Sequence, residues 1–234
     1  VIDIEAITDH AIVATLYQLA VKHNINYFLS GYNIVTEAIL PNVWVFKKQD
    51  AENIKDIHQK FGTIPLKTFP FLTMAKKRYY SVALKVESVT LLNYIDYNKD
   101  KIKELLKKEL NWKDYGGKHY ESVWTRFYQG YILPEKFKVD KRKAHLSTLI
   151  CSGQLTREQA LEELQQPIYD AEQLAIDTDF VLKKLGLSTT EFEHLMKIPP
   201  RPHTDFKMES NSYFDKYPIL KPLKGIYNSF KPKK

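Results

Sequence analysis

The chain has 234 residues, of which 44% are hydrophobic, 27% charged and 13% aromatic, as expected for one large or two small globular domains. This composition excludes collagen-like and low-complexity chains, and the single cysteine excludes a disulfide framework. The formal net charge of +7 is concentrated in residues 76–143 and in a basic tail, so the central block favours an anionic ligand.

The sequence has no run that approaches the roughly 18 uncharged apolar residues needed by a membrane-spanning helix. The N-terminus also lacks the basic and apolar regions of a secretory signal. Together with the lone cysteine, these features predict a soluble, cytoplasmic protein without an integral membrane segment. The first residue is Val1 and not Met, which predicts either processing or a chain that begins within a larger protein.

Helical and strand patterns alternate in the first half of the sequence. Ile12, Leu16, Leu19 and Ala20 recur at helical spacing and predict a first helix with these side chains on its apolar face. The next predicted elements are a strand at 27–29, helices near 50–61 and 72–86, a strand at 89–95 and a helix at 99–110. Because parallel strands are joined by helical crossovers, this order predicts an α/β domain.

The second half of the sequence contains only helical patterns. The predicted helices span 119–132, 140–151, 157–165, 171–185 and 189–197. Thr156 with Gln159, and Ser188 with Glu191, match the capping box, in which each side chain satisfies a free backbone N–H at the start of a helix. These two pairs place the starts of the third and fifth of these helices.

The predicted strands are too few for a complete α/β domain. A doubly wound domain needs several parallel strands for its helices to cover, and two strands are not stable alone. We therefore predict that residues 1–98 are the second half of a doubly wound parallel-sheet nucleotide-binding domain whose first strands precede Val1. Residues 99–206 are predicted to be a helical region, and residues 207–234 a basic, flexible tail.

The segment from Ser30 to Ala38 is the first candidate site, because it follows the first predicted strand. Ligands of open α/β sheets bind at the carboxyl ends of strands, where Gly31 would let the backbone approach a ligand. Asn33, Thr36 and Glu37 would offer hydrogen bonds or oxygen ligands for Mg²⁺. The alternative is a strand-to-helix turn in which Asn33 only caps the helix.

A second candidate site is the glycine-rich helix start near residue 116. Two glycines precede a predicted helix N-terminus, where Lys118 and free backbone N–H groups would accept an anion. The candidate residues are Lys118, His119, Glu121 and Arg126. A solvated, salt-bridged helix face would explain the same residues.

Basic residues also cluster at 136–145. A solvated face is the simpler interpretation, and a phosphate or nucleic-acid contact is the alternative. The helices at 140–151 and 157–165 resemble a helix-turn-helix, but the second is rich in glutamate that would face the phosphate backbone. We therefore expect no nucleic-acid partner.

Several segments carry a resemblance to a known family. They are residues 8–41, 62–70, 92–112, 114–137 and 140–164, with SGYNIVTEA in the first of them. These segments resemble the N-acetyl sugar amidotransferase family of lipopolysaccharide and O-antigen biosynthesis, within the PP-loop ATP pyrophosphatase superfamily. The SGYNIVTEA segment is similar to the second nucleotide-site motif of that superfamily, whose domain has the adenine nucleotide alpha hydrolase-like fold.

The resemblance implies a ligase reaction that uses ATP and Mg²⁺. The enzyme would adenylate the N-acetyl carbonyl oxygen of a nucleotide-activated sugar, and ammonia would displace AMP to give an acetamidino sugar for surface polysaccharide. A separate glutaminase subunit with a cyclase-like partner would supply the ammonia. The implied ATP-site residues are Ser30, Gly31, Asn33, Thr36 and Glu37, and the implied phosphate or sugar contacts are Lys118, His119, Glu121 and Arg126.

The sequence departs from this family in two ways. It lacks the Ser-Gly-Gly-x-Asp-Ser PP-loop, and it lacks the cysteine pairs that members often carry near the N-terminus. We therefore expect residues 1–234 alone to bind Mg·ATP poorly and to be inactive. The alternatives are another PP-loop ligase, either amide-forming or tRNA-modifying, or a basic helical nucleic-acid-binding module.

Overall fold

The computed structural model describes residues 3–41, 44, 48–115, 120 and 122–209. These residues are mostly helical and include one small sheet of two parallel strands, β1 (Tyr27–Leu29) and β2 (Glu87–Val89). The helices are α1 (Ala6–Lys22), α2 (Ile34–Glu37), α3 (Ala51–Phe61), α4 (Met74–Val82), α5 (Lys99–Leu110), α6 (Val123–Phe127), α7 (Leu133–Phe137), α8 (Lys141–Cys151), α9 (Arg157–Gln165), α10 (Ala171–Leu185) and α11 (Thr189–Lys197). Within this part of the chain, no helix combines the length and the apolar character that a membrane span requires.

The sheet confirms the predicted pair of parallel strands but not a doubly wound domain. Asn26 accepts a hydrogen bond from the Glu87 amide at 2.8 Å, and Val89 accepts one from the Ser30 amide at 2.8 Å. The prediction of a strand at 89–95 was wrong. The strand ends at Val89 and Leu91–Tyr94 form a 3-10 turn, since the Asn93 amide donates back to the Thr90 carbonyl at 3.0 Å.

Helix α1 is confirmed, but of its four predicted apolar positions only Ala20, at 4% exposed, is buried. Ile12, Leu16 and Leu19 are 53%, 41% and 45% exposed, whereas the buried face includes His10 and Tyr17. A helix that is apolar on several sides gives no unique hydrophobic stripe, so spacing alone did not identify the face that packs.

The helical half follows the predicted pattern closely. Helices α9, α10 and α11 have the predicted bounds, and both predicted capping boxes are present, at Thr156 and at Ser188. The helix predicted at 119–132 instead begins at Val123. It continues through a π-helical turn, Tyr128–Ile132, into α7.

The chain divides into two compact units that alternate along the sequence. The first unit comprises Val1–Ile2, Leu29–Phe46 and Ser88–Arg201, and the second comprises Asp3–Phe28, Lys47–Glu87 and Pro202–Lys234. These bounds differ from the predicted ones near residues 98 and 206. Lys207 and Glu209, in the predicted tail, donate backbone hydrogen bonds to α3 and its N-cap, so this part of the tail belongs to the second unit.

Each unit has its own apolar core. The core of the first unit is formed by residues of α6, α7, α10, α11 and the π-helical turn, with Phe127 and Leu133 fully buried. The core of the second unit joins the buried face of α1 to Leu72, Tyr80 and Val86. Burial of apolar side chains of this kind is the main stabilising contribution in each unit.

Candidate functional site

The turn after β1 is held together by its own polar side chains. The Asn33 side-chain oxygen caps α2, accepting hydrogen bonds from the Thr36 amide and the Thr36 hydroxyl, each at 2.9 Å. The Ser30 hydroxyl accepts a hydrogen bond from the Tyr32 amide at 3.2 Å. Asn33 is only 4% exposed. The hydrogen bond that it accepts from the Thr36 amide shows that it caps α2, as in the alternative considered above.

The segment after β2 fixes this turn from the neighbouring strand. The Asn93 side-chain oxygen accepts a hydrogen bond from the Ile34 amide at 2.8 Å, and its amide nitrogen donates to the Thr90 hydroxyl at 3.2 Å. The sequence analysis did not identify Asn93. Its signal was weak, because one polar residue after a strand is common in any turn.

Two groups of the turn are suited to contact a ligand. A Cβ atom built on Gly31 would meet nothing within 4 Å, so space beside the backbone is open there. Glu37 supplies the negative charge of the turn, and burial together with this charge raises the pKa of Tyr97. The backbone at Gly31 and the carboxylate of Glu37 are therefore the groups of this turn that a ligand could contact.

A Mg²⁺ ion at this turn would need ligands besides the protein. In the residues that the structure describes, no three His, Cys, Asp or Glu side chains are grouped so that they could hold a metal. Mg²⁺ keeps several waters and is commonly bound by one or two carboxylates plus substrate phosphates. Glu37 could provide one such carboxylate.

Arg126 lies in a second cluster of the same unit, on α6. Its guanidinium forms a bidentate ion pair with Asp177 of α10, with Nε 2.6 Å from Oδ2 and Nη2 2.9 Å from Oδ1. Nη1 donates to the Tyr120 carbonyl at 3.1 Å. The side chains of Arg126 and Asp177 are 18% and 3% exposed, so this ion pair is largely removed from water.

Two further donors surround the Asp177 carboxylate. The Tyr169 hydroxyl and the Gln173 amide both donate to it, the latter at 2.9 Å. Burial raises the pKa of Asp177, but the hydrogen bonds from Arg126, Tyr169 and Gln173 outweigh burial and hold this pKa below its usual value. Burial and the bond to Asp177 raise the pKa of Tyr169. Asp177 is therefore an ionised, fully partnered carboxylate.

The sequence analysis missed both Asp177 and Tyr169. They lie in the helical half with no motif around them, and Asp177 is 51 positions from its partner Arg126. No local pattern could have connected these residues. Of the other residues predicted for this site, Lys118, His119 and Glu121 lie outside the described residues.

Several basic side chains of residues 136–145 are used inside the first unit. Arg142 donates to the Gln166 carbonyl at the end of α9 at 2.8 Å and pairs with Asp140. The Lys141 ammonium lies 5.8 Å from the centre of the Tyr128 ring. Arg142 thus binds a carbonyl at a helix C-terminus, and Lys141 makes a cation–π contact.

Residues 121–221 match the model of the C-terminal domain of WbpG-like LPS biosynthesis proteins. No curated protein and no solved structure matches the chain. The match confirms the predicted resemblance to an LPS biosynthesis family and supports a role of this protein in LPS synthesis.

Proposed function

We propose that the protein is an ATP-dependent amidotransferase that converts the acetamido group of a nucleotide-activated sugar into an acetamidino group. The observation that carries this proposal is the match of residues 121–221 to the C-terminal domain of WbpG-like LPS biosynthesis proteins. That domain includes the Arg126–Asp177 cluster, and the turn after β1 supplies a candidate nucleotide site in the same unit.

The proposed reaction solves a leaving-group problem. An amide oxygen leaves poorly, and ATP supplies the adenylyl group that turns it into a good leaving group, with release of pyrophosphate. Ammonia then forms the new C–N bond, and AMP departs with the former acetamido oxygen. The groups that stabilise such a reaction are donors and cations held in place before charge develops on the phosphate and the carbonyl.

In this proposal the residues of the turn have two kinds of role. The Gly31 backbone lets the nucleotide approach, and Glu37 contributes an oxygen to its Mg²⁺. Ser30, Asn33 and Thr36 would line the same site, and the proposal is supported by the bonds that order this turn, from Thr36 to Asn33 and from the Tyr32 amide to Ser30. Asn93, in the 3-10 turn that follows β2, supports the turn after β1.

The Arg126 cluster would act on the segment that carries the other candidates. Arg126 binds the Tyr120 carbonyl, and the Tyr120 hydroxyl donates to the Ile168 carbonyl at 3.2 Å. Tyr120 is thereby held on both sides, and in sequence it lies between His119 and Glu121. We infer that Arg126 and Asp177 position this segment, whereas Lys118, His119 and Glu121 contact phosphate or sugar.

The test is an assay of AMP release by the complete gene product with ATP, Mg²⁺, ammonium chloride and a panel of nucleotide-activated N-acetyl sugars. We expect Glu37→Gln to lower kcat at least tenfold, which is about 1.4 kcal/mol of transition-state stabilisation. Glu158→Gln, at an exposed position of α9, is the matched control and should leave kcat unchanged. Sugar-independent AMP release, or full activity of Glu37→Gln, would contradict the assignment.

A further inference from the structure

An extended segment of the second unit, residues 206–209, follows a 3-10 turn at His203–Asp205 and lies along one face of α3. The Lys207 amide donates to Asp56 at 3.1 Å, and the Asn53 side chain donates to the Lys207 carbonyl at 3.1 Å. The Glu209 amide donates to both oxygens of Asp50, at 3.0 and 2.9 Å. Alternate residues of the segment thus bond through their backbone to side chains spaced three apart on α3, which matches an extended peptide to a helix face.

Two side chains anchor the segment at its ends. Phe206 is 6% exposed, lies 6.2 Å from the Phe61 ring between ring centres, and has the Lys60 ammonium 5.0 Å from its own ring centre. The Glu209 carboxylate accepts hydrogen bonds from the Ala51 amide at 3.2 Å and the Met74 amide at 2.8 Å. These amides belong to the first turns of α3 and α4, where free N–H groups and the helix dipoles favour a negative charge.

The α3 side chains that hold the segment are buried polar groups. Asp50, Asn53 and Asp56 are 1%, 2% and 5% exposed. Buried polar groups are costly unless hydrogen-bonded, and the backbone of residues 207–209 supplies partners to all three. Asp50 also accepts a hydrogen bond from the Asn53 amide at 2.9 Å, so the same carboxylate caps the helix and binds the segment.

We propose that this face of α3 is a peptide clamp, and that residues 206–209 occupy it as a latch that a peptide of the same pattern can replace. The clamp consists of Asp50, Asn53, Asp56 and the amides of Ala51 and Met74. The clamp binds main-chain groups of alternate residues, Lys207 and Glu209. Helix α3 also contacts the aromatic side chain of Phe206 and, three residues later, the carboxylate of Glu209. Backbone bonds give such a site its affinity, and the two anchors give it its selectivity.

The first test uses hydrogen exchange in the unaltered chain. The latch lies outside any strand, yet the amides of Lys207 and Glu209 should exchange slowly while the intervening Met208 amide exchanges fast. Glu209→Ala should accelerate exchange at Lys207 at least tenfold. Met208→Ala, at a side chain that is 45% exposed, is the matched control and should leave the pattern unchanged. Equal, fast exchange of all three amides in the unaltered chain would overturn the latch.

The second test supplies a synthetic peptide of residues 202–209 to the full chain and follows the amide resonances of Ala51 and Met74. The peptide should shift both resonances in the Glu209→Ala chain, whose own latch is weakened, and neither resonance in the unaltered chain. A peptide with alanine in place of the glutamate should have no effect. If the authentic peptide leaves both resonances of the Glu209→Ala chain unmoved while its latch amides exchange fast, α3 is not a peptide clamp. Because neither test measures AMP release, its outcome is independent of the proposed reaction.

Discussion

The ion pair between Arg126 and Asp177 allows a quantitative prediction about stability. Asp177→Asn keeps the shape of the side chain but removes its charge, which leaves a guanidinium that is only 18% exposed without its counter-ion. Removing one partner of a buried pair costs about 3–5 kcal/mol. We expect the lower end, about 3 kcal/mol, because the amide oxygen of Asn still accepts one hydrogen bond and the Tyr120 carbonyl still binds Arg126.

Urea unfolding followed by tryptophan fluorescence measures this change. All 3 tryptophans, Trp44, Trp112 and Trp124, belong to the first unit, so the signal reports the unit that contains the ion pair. Asp179→Asn, at an exposed position of the same helix, is the control and should change stability by less than about 0.5 kcal/mol. A loss below about 1 kcal/mol for Asp177→Asn would refute the reasoning, because it would mean that the pair is effectively solvated.

Acid should weaken the same ion pair. The pKa of Asp177 in the folded chain lies below its ordinary value of 3.8, so the folded state binds this proton less readily than the unfolded state. The stabilisation is therefore fully present above that ordinary value and is lost as the pH falls below it. In Asp177→Asn this part of the acid dependence should be absent from the unfolding curves, and an unchanged acid dependence would contradict the assignment.

Three further changes test other contacts. Thr148→Val removes a buried hydroxyl that accepts a hydrogen bond from the Ile39 amide at 3.1 Å. Urea unfolding should show that the free energy of unfolding falls by about 1–3 kcal/mol, and an unchanged stability would contradict a stabilising role of this bond. Gly130→Ala would place a Cβ 2.9 Å from the Tyr169 ring, so the same assay should show a loss of about 1–3 kcal/mol, and no loss would mean that the ring moves freely. Burial lowers the pKa of His10, whose Nε2 accepts a hydrogen bond from the Leu72 amide at 3.1 Å. The neutral imidazole therefore contributes to the stability of the second unit above pH 6.5, the ordinary pKa of histidine, and this contribution is lost as the pH falls below that value. Hydrogen exchange of the Leu72 amide, corrected for its intrinsic pH dependence, should accelerate as the pH is lowered below 6.5. A constant corrected rate would contradict the prediction.

Local signals explain which elements could be predicted from the sequence. Thr156 and Ser188 define helix starts through bonds to residues three positions away, so α9 and α11 have the predicted bounds. The turn after β1 was also identified, because a strand followed by Ser30 and Gly31 is a local pattern. The end of β2 was misplaced because Val89 is followed by apolar residues that suit either a strand or a 3-10 turn.

Contacts between distant residues explain what could not be predicted. Asp177 pairs with Arg126 across 51 positions, and Glu209 binds the start of α3 across 158 positions. Composition predicted a flexible tail from residue 207. Nothing in the sequence near Glu209 indicates that its carboxylate accepts hydrogen bonds from the N-termini of two helices. Which apolar side of α1 packs also depends on the rest of the second unit and not on the helix itself.

The fate of the acetamido oxygen tests the proposed reaction most directly. A nucleotide-activated N-acetyl sugar carrying an oxygen-isotope label in its acetyl carbonyl is incubated with the complete gene product, ATP, Mg²⁺ and ammonium chloride, and the products are analysed by mass spectrometry. Adenylation of the carbonyl oxygen requires the label to leave on AMP, and the sugar to gain nitrogen from ammonium in equal amount. Unlabelled AMP, or a sugar that keeps its labelled oxygen while ATP is consumed, would contradict the assignment of this protein as an amidotransferase.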